Sequence, residues 1–163
     1  MVITNDQDQE EFIEETSPWD LKIPLGLLMF GLLVLVIHGF ATSGAKGGGS
    51  VLLGIGILLL VYLPLTIIAM FIAAPILDIS FGEFWPAVLK IAGLFIFTSA
   101  LQDVGSTVGH PVLGWIVGLA ASLFLYSKAF GLTAWETIEA VFVVAVVREL
   151  LGLAIRSLLA RWS

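Results

Sequence analysis

Within the apolar run AVFVVAVVRELLGLAIRSLLARW, Ala140 to Trp162, two charges stand side by side, Arg148 and Glu149. A guanidinium and a carboxylate halfway along a membrane segment could line a polar path, hold an ion of opposite sign, or neutralise each other. At 100° per residue, Ala145, Arg148, Glu149, Gly152 and Arg156 fall on one helix face. Val143, Val144, Val147, Leu150 and Leu151 are expected on the other. An ionisable side chain at that depth costs about 2.5–3.5 kcal/mol and normally faces a bundle interior or a wet cavity. The structural alternative is a helix that bends at Gly152 and lets Arg148 snorkel, or a pair that only fixes helix register. A single pair favours that alternative.

Other residues carry weaker chemistry. Lys90 lies about one turn inside the boundary suggested by Trp85, within snorkelling reach, and its functional alternative is a counter-charge for Glu149. His38, Asp103 and His110 fall on one side of the membrane by parity, which makes them the candidate metal or proton-relay set. Their spacing matches no ligand motif, so no metal or cofactor is expected. Gly114, Gly118 and Ser122 in GWIVGLAAS form a small-xxx-small ridge. In lipid, such a ridge lets backbones approach closely, within the bundle or between subunits.

The elements that must position these residues follow from composition. Of the 163 residues, 59% are hydrophobic and 12% charged, against about 25% charged in soluble domains. Seven acids and no Lys or Arg fall within residues 1–20, and setting those acids aside turns the net charge of −6 into about +1. No basic concentration tracks a nucleic-acid backbone, so no nucleic-acid partner is expected. The chain has no cysteine, which excludes disulfides and thiolate metal sites. H-E-x-x-H, G-x-S-x-G and P-loop patterns are missing, so the chain is not expected to be an enzyme. An enzyme built on His38, Asp103 and His110 ranks last.

The expected fold is an all-α membrane protein, a compact bundle of five transmembrane helices with short loops. An acidic tail over residues 1–16 has too little apolar surface to order itself. The domain over 17–163 carries spans at about 17–41, 51–77, 81–101, 111–127 and 134–160. Ser17 and Pro18 suit the start of the first span. Ser80 with Glu83, and Thr133 with Glu136, have capping-box spacing. Pro64 should kink the second span, and QDVGSTVGHP, Gln102 to Pro111, has the composition of a loop. With five crossings, Lys and Arg near helix ends number two on one side and three on the other, which leans towards a cytoplasmic C-terminus in a cell membrane.

The outline of five spans with the connector GAKGGGS and Pro64 in the second span resembles the Yip-type small membrane proteins of vesicle traffic and their bacterial relatives. No residue role or activity follows from that likeness. The expected function is assembly, scaffolding or partner binding in the lipid bilayer, as a homo-oligomer or with other membrane proteins. The alternative is a small transporter or channel subunit using the Arg148/Glu149 face.

Overall fold

The computed structural model describes residues 17–44, 48–78 and 82–159, with the backbone alone for residues 155, 156, 158 and 159. The acidic tail, the centre of the GAKGGGS connector, Ser80 of the first expected capping box and the Arg156 side chain lie outside the described residues. The described residues form five helices: α1 (Lys22–Ser43), α2 (Gly48–Ile76), α3 (Phe84–Val108), α4 (Pro111–Phe130) and α5 (Ala134–Leu159). The first four are long and apolar enough to cross a membrane. At 26 residues α5 has the length, but it carries Glu136, Glu139, Arg148, Glu149 and Arg156.

Leu33, Leu60, Phe124 and Phe142 are exposed on the outside of the bundle. An exterior this apolar is solvated by acyl chains rather than by water. Inside, Ala69, Met70, Ala73, Ala87, Ile91, Leu94, Tyr126, Ala129 and Val144 pack into one buried cluster.

The most buried helix is α3, with α1 along one side and α4 along the other. Small residues make both crossings close. A methyl group at Gly31 would meet the Phe97 backbone at 2.9 Å, and one at Gly93 would collide with the Pro24 carbonyl. A methyl group at Gly114 would meet Gln102 O and Ser106 N, each at 2.5 Å. Contact that close is how helices gain packing energy in lipid, where water expulsion supplies no force between them.

Three boundaries differ from the sequence expectation. Ser17 to Leu21 form a turn rather than the first turn of α1, with Asp20 N donating to Ser17 O at 2.7 Å and Ile23 N to Pro18 O at 2.9 Å. The third span, expected from about Phe81, which lies outside the described residues, begins as α3 at Phe84 with Glu83 as an extended N-cap. The loop expected over Gln102–Pro111 is mostly helix, since α3 runs to Val108. There the Ser106 and Thr107 hydroxyls fold back onto Asp103 O, at 2.8 and 3.1 Å, satisfying themselves within the helix. Tight packing of Gly105 against Gly114 holds the segment.

Pro64 acts through a widened turn. Leu58–Tyr62 are a π-turn, closed by the Leu63 N–H donating to Leu58 O. Proline has no N–H to donate and its ring crowds the carbonyl four residues back, and the wider turn relieves both. At the other end of the bundle α4 stops at Gly131, whose left-handed φ of 65° lets Leu132 N reach Ser127 O at 3.1 Å. Thr133 and Glu136 then cap α5 reciprocally: Thr133 N donates to Glu136 Oε2 at 2.8 Å and Glu136 N to Thr133 Oγ1 at 3.4 Å.

Candidate functional site

Arg148 and Glu149 part company in space, as neighbours 100° apart on a helix must. The Glu149 side chain is 71% exposed and turns outwards, while that of Arg148 is 32% exposed and turns into the bundle. Their one contact is long, Nη2 to Oε1 at 3.4 Å, and Arg148 Nε is buried without a hydrogen-bond partner. Val144, expected on the opposite face, borders the same space as Arg148. Four residues is 40° past a full turn, and that keeps the two on one side. Gly152 has no neighbouring chain near it.

Arg148 borders a partly open cavity of about 190 Å³ lined by α2, α3, α4 and α5. That is the liquid volume of about six water molecules. Its apolar walls include Met70, Phe95, Trp115, Leu119 and Val141, and its polar groups come from every lining helix: Thr66, Thr98, Ser99, Gln102, Ser122, Tyr126 and Arg148. Three of the hydroxyls are spoken for as donors. Thr66, Thr98 and Ser122 each give their proton to a carbonyl one turn back, at 2.8 Å. Among the described residues, the Ser99 hydroxyl, the Gln102 amide and the Tyr126 hydroxyl have no hydrogen-bond partner. With the guanidinium they make a donor-rich lining around one positive charge, suited to an anion or a carbonyl oxygen.

A second cavity of about 580 Å³ lies between α1, α2, α3 and the start of α4, bordered by Thr42, Gly54, Leu58, Asp103 and Ser106 among others. Ser99 and Gln102 border both cavities. At its edge His38 and Asp103 meet, Nδ1 to Oδ2 at 2.8 Å, with the imidazole mostly buried and the carboxylate half exposed. His110 does not join them. Its Nδ1 accepts from Val112 N at 3.3 Å, capping α4 ahead of Pro111. Among the described residues, no three His, Asp or Glu side chains gather as a metal would require.

Lys90 sits far from Glu149 in its contacts. It pairs with Asp20 at 2.8 Å and lies over the Phe130 ring at 5.8 Å from its centre, tying the turn before α1 to α3 and α4. The Gly114–Gly118 ridge faces α3 within the same chain. Gly118 takes the Gln102 side chain against it, and Ser122 borders the Arg148 cavity.

Sequence reasoning missed Thr98, Ser99, Gln102 and Tyr126. Thr98, Ser99, Gln102 and Ser106 recur at one helical face, a visible signal once Gln102 to Val108 is read as helix rather than loop. Compared with known protein families, curated proteins and solved structures, the chain matches none, so the likeness to Yip-type proteins finds no support there.

Proposed function

We propose that this chain is a non-catalytic, multi-pass component of a cell membrane that holds a small anionic solute in the Arg148 cavity, in the manner of a small transporter or channel subunit. One observation carries the proposal: Arg148 turns into a cavity with a buried, unpartnered Nε, alongside the free donors of Tyr126, Ser99 and Gln102. Filling the buried Nε removes a desolvation cost already incurred, and a partly exposed guanidinium beside neutral donors favours an anionic or carbonyl-bearing guest. Five crossings with the C-terminus on the cytoplasmic side complete the reading.

The test is reconstitution of the purified protein in lipid vesicles, with radiolabelled acetate and chloride uptake and equilibrium binding measured together. Arg148→Gln should abolish saturable binding of the preferred anion, and Glu149→Gln, which alters a side chain outside the cavity, should retain it. Equal binding by both variants, or none by the folded parent, would overturn the reading.

One observation supports lateral assembly, the role first expected from the sequence. Glu149 turns outwards beside the open surface at Gly152. A carboxylate facing lipid at mid-helix is costly, and a neighbouring subunit or polar partner would relieve it. Cross-linking in native membranes, with Glu149→Gln as the comparison, tests this second role.

A further inference from the structure

Along α2, α3 and α4 the two cavities and the buried core follow one another in the same order. On α3, Ala87, Ile91 and Leu94 belong to the core, Phe95 and Thr98 to the Arg148 cavity, Ser99 and Gln102 to both cavities, and Asp103 and Ser106 to the second alone. Antiparallel α2 runs the same sequence backwards: Gly54 and Leu58, then Thr66, then Ala69 and Ala73. On α4 the order is Pro111, then Gly118 and Ser122, then Ala129. These three helices agree on a polarity, while Met70, Tyr126 and Val144 border both core and cavity, and on α5 Ala140 and Val141 carry the cavity past Val144 alongside the core.

We infer that the cavities form one polar funnel, entered from the end of the bundle bearing His38 and Asp103. An apolar plug of Met70, Ala73, Ala87, Ile91, Leu94 and Ala129 closes it towards the end bearing Lys90 and Asp20. The inference rests on the reading of the Arg148 cavity as the solute site, and it assigns that solute a single side of entry. Ser99 and Gln102 form the neck. Between Leu94 and Asp103, nine residues of helix span about 13 Å, so Arg148 is reached well below the mouth without breaching the plug. The plug residues are at most 6% exposed, and they offer a hydrated ion no polar group to replace its water.

The chain has no cysteine, so single introduced thiols report access without background. Ser106→Cys, Ser99→Cys and Ser122→Cys are near-isosteric probes of the mouth, the neck and the inner cavity, and Ala87→Cys probes the plug. Thr107→Cys and Ala134→Cys, both exposed, fix the two sides. In vesicles of known orientation, a membrane-impermeant, negatively charged methanethiosulfonate should label positions 106, 99 and 122 only from the side that labels Thr107→Cys. Position 87 should be labelled from neither side. Labelling of position 122 from the Ala134 side would overturn the funnel. So would labelling of positions 99 and 122 by permeant N-ethylmaleimide alone, which would mean a cavity opening onto lipid. The solute reading is tested separately by acetate and chloride protection of position 122. Sided labelling without protection keeps the funnel and removes the anion, whereas protection with labelling from the Ala134 side does the reverse.

Discussion

Gly118 lies directly against Gln102: a methyl group in place of the glycine hydrogen would come within 3.0 Å of the Gln102 Cβ and 3.5 Å of its Oε1. The absence of a side chain at Gly118 is what gives the amide its place in the neck between the two cavities. Gly118→Leu should push Gln102 aside and overpack the α3–α4 crossing, at a cost of about 1–3 kcal/mol. Thermal unfolding in detergent, with size-exclusion mass as a companion, measures it. An unchanged melting temperature would mean that this crossing yields without cost.

A harsher effect is expected where α1 meets α3. A methyl group at Gly93 would run into the Pro24 carbonyl, which is backbone and cannot swing away as a side chain can. Gly93→Ala should therefore destabilise by about 3 kcal/mol, the upper part of the range for overpacking. Gly26→Ala is the control. A methyl there meets nothing within 4 Å, and removing a helix glycine should be neutral or stabilising by up to about 1 kcal/mol.

The Lys90–Asp20 pair is asymmetric, since the ammonium side chain is 12% exposed and the carboxylate 35%. Losing the carboxylate strands a nearly buried charge, whereas losing the ammonium strands one that water or headgroups can reach. Asp20→Asn should cost more than Lys90→Met, about 2 kcal/mol against about 1 kcal/mol, between the values for buried and exposed pairs. A double-mutant cycle on unfolding in mixed micelles gives both numbers and the coupling. The reverse ranking would show that solvation does not govern this pair.

How much of this was legible beforehand differs by residue. The helices were, because runs such as Val51 to Leu77 have no soluble alternative, and so was the cap of α5, because Thr133 and Glu136 have the spacing that reciprocal bonding needs. The neck was not. Gln102 and Asp103 sit in a stretch whose glycine, serine and threonine suggest a loop in water. Tertiary contact between Gly105 and Gly114 and back-bonded hydroxyls make it helix instead. Arg148 drew notice through its charge, but which of two adjacent charges turns inwards depends on the packing of four helices, and no local pattern encodes that.

Glu136 closes the cap of α5. It accepts hydrogen bonds from the Thr133 backbone N–H and the Thr133 hydroxyl, each at 2.8 Å. Glu136→Ala should therefore destabilise the fold, as the loss of a helix cap does. Thermal unfolding in detergent measures it, and an unchanged melting temperature would mean that the cap is not formed in solution.

The π-turn at Leu58–Tyr62 amounts to one surplus residue in α2, and its effect is felt downstream. Everything from Leu63 onwards is rotated by about 100° from where an unbroken α-helix would carry it. Thr66 faces the Arg148 cavity, and Ala69 and Ala73 face the core, in that rotated phase. An unbroken α-helix of the same length would swing all three outwards to lipid, whereas deleting a single residue between Leu58 and Tyr62 would wind the segment regularly and leave all three facing as they do. The surplus residue is thus absorbed within one turn, beside a proline that a regular turn accommodates poorly.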